Sequence, residues 1–253
     1  MAPEPGASRR PAGPQGRAPG LAVERSLQDA GARLVGGMDE VGRGALAGPV
    51  TAGVVVLRPG TVRGIPGLRD SKLLSPARRE ALVPRIRSWC AAGGVGHASP
   101  QEIDGLGLTA ALRLAGHRAL AAAAREGTAP DVVLLDGRHD WLSPAGERSL
   151  FDASAPADEP AWAGAVVTRV KADLTCASVA AASVLAKVER DRIMRELSGA
   201  WPQYGWDSNK GYGAAGHRAA LEEAGPTPHH RLSWRLTGPT AATRPSASGD
   251  ETT

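Results

Sequence analysis

From Leu34 onward the chain alternates short apolar runs with polar turns and helical stretches, and that alternation lays out its elements. The valine-rich run Pro49 to Leu57 predicts a strand, paired as a hairpin with the one that carries Asp39. Ser75-Pro76 supplies an N-cap and a first-turn proline for a helix running toward Cys90. Pro84 inside that helix costs about 3 kcal/mol or forces a kink. Gly94 to Ala98 reads as a short strand, and Ser99-Pro100-Gln101-Glu102 as a capping box that starts another helix. An alanine-rich helix follows over about Thr109 to Arg125 and stops at Gly127. The apolar run Asp131 to Leu135 has the length and composition of a buried strand, and Ala165 to Val170 reads as one more. Leu174 to Leu197 is helical, and its early small residues (Ala177, Ser178, Ala180, Ala181, Ala182, Ser183) allow close packing on a sheet. Its second half is charged, with Asp191 at the i,i+4 ion-pair spacing from Lys187. A last short helix, about Ala214 to Ala224, ends at Gly225-Pro226. Strands first, then alternation, then helices imply an α/β fold with a mixed sheet.

The two ends break this pattern. Residues 1–20 hold five prolines, four glycines and four alanines, which build no core. Residues 1–30 and 238–253 are therefore expected to be disordered tails, dispensable for activity and melting temperature, around a folded unit over 31–237. Residues 138–162, with Pro144, Pro156 and Pro160, read as a surface excursion. No run of about 18 apolar residues suggests a membrane span. Cys90 and Cys176 are the only cysteines and have no CxxC spacing, which argues against zinc and for a reduced, cytoplasmic setting.

Charge narrows the partner. The net charge is +4, and the two ends together carry five arginines and five acids, so the excess belongs to residues 31–237. Mild basicity suits an anionic partner. Of 30 basic residues only four are lysines, Lys72, Lys171, Lys187 and Lys210. Arginine does not replace lysine where a compact point charge is needed, so each of these sites is a candidate contact.

The candidate chemistry centres on Gly36 to Gly44. Asp39 and Glu40 are adjacent, and on an ideal strand they point to opposite faces. Flanking glycines permit a bulge or sharp bend that turns both toward one point, and Gly42 and Gly44 let another backbone approach. Alone, the pair is also what an ordinary acidic turn looks like. Asp136 ends one strand and Asp173 follows another, which makes four acids at strand ends. Clustered carboxylates raise one another's pKa values unless cations neutralise them, and an all-oxygen set favours Mg²⁺ or Mn²⁺. Two such ions, about 4 Å apart, clamp the attacking and leaving oxygens of a phosphoryl displacement. Trp201, Tyr204, Trp206 and Tyr212 cluster around Asn209-Lys210-Gly211, a pattern that suits stacking on a nucleic acid or, equally, a small hydrophobic cluster. His229-His230-Arg231 reads as phosphate contact or plain surface, since adjacent histidines chelate poorly.

Asp39-Glu40-Val41-Gly42-Arg43-Gly44, Asp70-Ser71-Lys72, Leu135-Asp136-Gly137, Lys171-Ala172-Asp173, Ala181 to Asp191 and Lys210-Gly211-Tyr212 together resemble bacterial ribonuclease HII, in unbroken order over roughly 34–236. The resemblance implies a ribonuclease H-like fold, a mixed central sheet flanked by helices, with a C-terminal helical extension. It implies an endonuclease that cuts on the 5′ side of a ribonucleotide, in RNA–DNA hybrids or duplex DNA, and leaves 3′-hydroxyl and 5′-phosphate ends; a monomer is the expected state. By position, Asp39, Glu40, Asp136 and Asp173 resemble the metal-binding acids. Gly42-Arg43-Gly44 resembles the reader of the ribose 2′-hydroxyl and Tyr212 the tyrosine that stacks near it, with Lys72, Lys187 and Lys210 as further nucleic-acid contacts. Two departures stand out. Leu73 takes the place of a second lysine, and the segment from Asp136 to Asp173 is longer than usual, which leaves Asp140 without a role. A strand transferase or junction resolvase, or a binding module without activity, also fits a carboxylate cluster. The Gly-Arg-Gly and Lys-Gly-Tyr elements argue against the former, and the full set of four acids against the latter.

Overall fold

The computed structural model describes residues 18–143 and 162–236. Five strands, β1 (Val35–Val41), β2 (Val50–Leu57), β3 (Ala92–Ala98), β4 (Val132–Asp136) and β5 (Ala165–Arg169), form one mixed sheet in the order β3-β2-β1-β4-β5. The hairpin is as the apolar pattern predicts: β1 and β2 are antiparallel from Val35↔Leu57 to Val41↔Thr51. β4 and β5 add in parallel, so β1 and β4 leave the sheet at the same end. Among the described residues there are eight α-helices. They are α1 (Ala22–Asp29), α2 (Pro76–Trp89), α3 (Pro100–Leu106), α4 (Leu108–Arg125), α5 (Ala172–Thr175), α6 (Ala177–Ala200), α7 (Trp206–Asn209) and α8 (Ala215–Ala224).

Small residues decide how close the helices come. A Cβ on Gly37 would collide with the Ser178 backbone, and one on Gly53 would stand 2.5 Å from the Ala182 carbonyl, so α6 lies almost on the main chain of β1 and β2. On the other face a Cβ on Gly94 or Gly96 would strike the carbonyls of Ala119 and Ala115 in α4. The side chains sort accordingly. Met38, Val54, Val56, Val133 and Leu135 pack with Leu112, Ala115 and Ala119, whereas Val55, Leu57 and Ile86 pack with Ala181, Val184 and Leu185. Both faces of β1, β2, β3 and β4 are thus largely removed from water, the main source of stability in such a layered fold, while the edge strand β5 stays mostly exposed.

Several expectations need correction. The Ser75 cap and Pro76 are in place, and α2 continues past Pro84 to Trp89. The expected helix from Leu174 is two helices, because extended Cys176 separates α5 from α6. Of the supposed surface excursion, Trp141 and Leu142 are buried in the core against α4, and residues 144–161 lie outside the described residues. Asp140 caps this turn by accepting from the N–H groups of Leu142 and Ser143, a local structural role.

The N-terminal boundary also moves. Residues 22–29, assigned by composition to a tail, form α1, and of the two expected tails only 1–17 and 238–253 lie outside the described residues. The reason is at the start of α6, where the N-cap Cys176 offers no side-chain acceptor. The Gly20 carbonyl takes the Ala177 N–H at 2.8 Å, and buried Glu24 accepts from both Ser178 N (2.9 Å) and Ser178 Oγ (2.8 Å). A carboxylate at a helix N-terminus, with two charge-assisted hydrogen bonds, contributes about 2 kcal/mol. Glu24→Ala should lower the melting temperature by about 4–8 °C for a chain of this size. Thermal unfolding checks it, and an unchanged midpoint would return residues 18–30 to the tail.

Candidate active site

The four acids gather where β1 and β4 end. Asp39 sits on the α6 face of β1, opposite Gly53, and is buried. Strand pairing runs to Met38↔Leu135, so Asp39 and Asp136 are the next residues of two parallel neighbours. Asp136 Oδ1 accepts the Ala172 N–H at 2.7 Å, which ties the end of β4 to the first residue of α5. Lys171, in the left-handed conformation at φ 59°, makes the turn that brings Asp173 back over that end. Of the bulge or sharp bend that the glycines allow, β1 has no bulge: it keeps regular pairing through Val41, and the chain turns only afterwards, at Gly42 with φ 86°. Asp39 and Glu40 therefore leave from successive positions at the very rim of the sheet.

Electrostatics couple all four acids. Burial pushes the Asp39 carboxyl well above the usual range, and Glu40, Asp136 and Asp173 push it further, against the pull of Lys72. Glu40 is raised by burial and by Asp136, and Asp173 by burial, Asp136 and Asp70. Lys72 is the cation among them, its ammonium 3.6 Å from Asp173 Oδ2. Burial alone would lower its pKa, but Asp39, Asp70, Asp173 and Asp136 together raise it. Lys72 is placed by its own backbone: Asp70 caps the short 3₁₀ turn by accepting the Lys72 N–H, and the Ser71 N–H donates to Ser183 of α6.

This donor set suits a divalent cation. All its ligating atoms are carboxylate oxygens, and Glu40 Oε2 is buried with no hydrogen-bond partner. Among the described residues no three acid, histidine or cysteine side chains already stand in a metal-holding arrangement. The two thiols contribute nothing here: both are buried, and burial pushes Cys176 up to about 11.

Beside the acids lies a surface made of two loops. Residues Gly42 to Ala45 form a turn closed by the Ala45 N–H on the Gly42 carbonyl. Gly42 is required, since a Cβ there would strike the Arg190 guanidinium, whereas Gly44 faces open space. Arg43 is exposed and lies 3.6 Å from Glu40, a loose pair in solvent. From α7 the chain passes through Lys210 (φ 53°) and Gly211 (φ 83°), and the Gly211 carbonyl accepts the N–H groups of Leu46 and Ala47. Tyr212 follows, 39% exposed, while Tyr204 and Trp206 are buried in the cluster under the loop. The aromatic strip therefore divides into packing and one surface ring. Lys210 Nζ turns back to the Asp207 carbonyl.

The i,i+4 pair expected of Lys187 forms: its ammonium is 2.6 Å from Asp191, which also pairs with buried Arg79 at 3.3 Å. The expectation for His229-His230-Arg231 changes. His230 and Arg231 are buried rather than surface groups. The His217 Nδ1–H donates to the Tyr212 carbonyl (2.9 Å), so His217 Nε2 accepts from Trp206 Nε1–H (3.1 Å) and His230 Nε2–H (3.0 Å). His230 Nδ1 accepts the Thr227 N–H. Both rings are held neutral. Burial, helped by the neighbouring His217, lowers His230 to about 4, and burial lowers His217 as well. A depressed folded-state pKa means the unfolded chain takes up protons first. Stability is then complete above the unfolded value near 6.5 and is lost as pH falls toward 4. Urea midpoints should drop from pH 7 to pH 5 in the wild type and much less in His230→Gln; equal slopes would contradict the neutral pair.

Residues 36–237 match the family model described as Ribonuclease HII. The Ribonuclease HII of Streptomyces griseus subsp. griseus is 52% identical over 218 residues, which cover 84% of this chain and 82% of that protein. Among solved structures, the ribonuclease H2 from Pyrococcus horikoshii OT3 superposes with a TM-score of 0.60 at 24% identity, over 80% of this chain and 94% of that one. Bst-RNase HIII, solved in complex with Mn²⁺, has a TM-score of 0.56 at 18% identity, over 93% of this chain and 74% of that one. Both structures share the fold: an α/β architecture with a mixed five-stranded sheet flanked by helices.

Proposed function

The chain belongs to the ribonuclease HII family of ribonuclease H endonucleases, and we propose that it hydrolyses the phosphodiester on the 5′ side of a ribonucleotide. Its substrates are RNA–DNA hybrids and duplex DNA with embedded ribonucleotides, and its products carry 3′-hydroxyl and 5′-phosphate ends. The observation that carries this reading is the convergence of Asp39, Glu40, Asp136 and Asp173 on one rim, beside a loop pair open to a nucleic-acid backbone.

Asp39, Glu40, Asp136 and Asp173 would hold Mg²⁺ or Mn²⁺, two ions during the reaction, and the Mn²⁺ bound by Bst-RNase HIII supports a divalent ion. Such ions supply Lewis-acid stabilisation of the attacking and leaving oxygens. The chain's own residues do the positioning. The Lys72 ammonium, on a side chain 68% exposed, can leave Asp173 for a phosphate oxygen once the acids are neutralised. Arg43 can likewise leave Glu40, which frees that carboxylate as a ligand. Gly42, Arg43 and Gly44 approach the ribose with main-chain groups, Tyr212 offers a ring face to the sugar, and Lys210 adds charge to the same edge. All four acids come from one chain, in keeping with a monomer. Two buried free thiols suit the reducing cytoplasm, and among the described residues no helix is long and apolar enough to cross a membrane.

The test is cleavage of both substrates with Mg²⁺ or Mn²⁺ and with excess EDTA. Cleavage should vanish on chelation and return with added metal. Undiminished cutting in EDTA would sink the proposed chemistry.

A further inference from the structure

Two arginines outside this machinery, Arg190 on α6 and Arg231 beyond α8, are fully buried directly beneath the two loops. Among the described residues, every hydrogen bond that either guanidinium makes ends on a main-chain carbonyl. Arg190 donates to Pro49 O (2.9 Å), Ala47 O (3.1 Å) and Lys210 O (2.9 Å). Arg231 donates to Gly42 O (2.6 Å), Arg43 O (2.9 Å) and Gly48 O (3.1 and 3.2 Å). Burying two cations side by side without an acceptor carboxylate is costly, and apolar side chains would fill such a space at less expense of stability. Arginine gives what apolar groups do not, five N–H donors in a rigid fork that reaches several carbonyls at once.

The carbonyls chosen have a consequence for the loop. A trans peptide points its C=O and the following N–H in opposite directions. The Gly42 and Arg43 carbonyls both point inward to Arg231, so the N–H groups of Arg43 and Gly44 point away from it. Neither N–H has a hydrogen-bond partner among the described residues, and Gly44 borders open space. From the other side Arg190 holds the Lys210 carbonyl and stands 5.6 Å from the centroid of the Tyr212 ring. One clasp thus sets both loops.

We propose that Arg190 and Arg231 are specificity-determining positioning residues. They keep the Arg43 and Gly44 N–H groups turned toward the substrate and hold Tyr212 at a fixed separation from them. A sugar with a 2′-oxygen accepts those N–H groups and draws its 5′ phosphate into place; a deoxyribose does not. The proposal rests on the reading of function given above.

Arg231→Lys and Arg190→Lys keep the charge but lose the fork. Each variant is compared with wild type by single-turnover cleavage of a duplex with one ribonucleotide and of an all-RNA/DNA hybrid, with duplex affinity and folded fraction measured alongside. A hybrid offers neighbouring ribose sugars as alternative registers, so the rate on the single-ribonucleotide duplex should fall at least about tenfold more than on the hybrid. Affinity should change far less than that rate. Equal losses on both substrates, in proportion to the folded fraction, would overturn the clasp while leaving the function standing. A wild type that cuts neither substrate would overturn both. Should either variant fail to fold, amide hydrogen exchange of the wild type in EDTA decides the matter. The Arg43 and Gly44 amides should exchange fast in the free protein and slow at least about tenfold with the ribonucleotide duplex but not with all-DNA duplex, the N–H contact being worth a hydrogen bond of ordinary strength. Amides already protected in the free protein, or slowed alike by both duplexes, would overturn the proposal.

Discussion

Asp136→Asn should bind duplex about as well as wild type and yet cut it at least about a hundredfold more slowly in a single turnover. The substitution is gentle on the fold. Asn keeps an oxygen that can accept the Ala172 N–H, so the tie between β4 and α5 survives. What disappears is one negative charge from a cluster whose other members, Asp39, Glu40 and Asp173, already hold raised pKa values through burial and mutual repulsion. Loss of a ligand charge weakens the hold on a divalent ion, whereas affinity for duplex comes mostly from phosphate contacts elsewhere. Gel-shift affinity in EDTA and rapid-quench rates with Mn²⁺ separate the two effects. A variant that cuts at the wild-type rate would remove Asp136 from the chemistry.

Tyr212→Ala should slow cleavage of a single-ribonucleotide duplex by one to two orders of magnitude and weaken binding much less, since misplacement by about 1 Å costs about a hundredfold in rate. The backbone around Tyr212 is held independently of its ring. Its N–H donates to the Asn209 carbonyl, and its carbonyl accepts from His217. Truncation therefore removes a surface ring without releasing the turn, unlike loss of Tyr204 or Trp206, which are buried in the cluster below. Single-turnover rates and affinities on the same duplex check this. Equal rates for the two proteins would make Tyr212 a packing residue.

The elements legible in the sequence were those written in local chemistry. The valine run of β2, the Ser75 cap, the Ser99–Glu102 capping box and the small residues of α6 all act within a few positions of themselves, and each is found where the pattern places it. The acids were legible for a related reason, because a carboxylate at the end of a short apolar run is also a local signal. What escaped were the long-range polar contacts. Glu24 lies in a stretch of tail-like composition, and only Ser178, 154 residues away, shows why it folds. His230 and Arg231 look like surface groups until their partners His217, Gly42 and Gly48 close around them. Arg190 stood within a recognised motif, yet nothing in that motif says that its acceptors are the carbonyls of Ala47, Pro49 and Lys210. Lys187 shows the converse: its i,i+4 spacing to Asp191 is a local signal, and the pair forms.

The central claim is that the acids at the sheet rim and the two loops beside them act as one site on a ribonucleotide. End-labelled duplex DNA with a single ribonucleotide, incubated with the protein and Mg²⁺ or Mn²⁺ and mapped at nucleotide resolution, tests it most directly. The account predicts one cut, immediately 5′ of the ribonucleotide, with a 3′-hydroxyl on the upstream fragment and a 5′-phosphate on the ribonucleotide itself. An intact duplex, or a cut on the 3′ side, would contradict it.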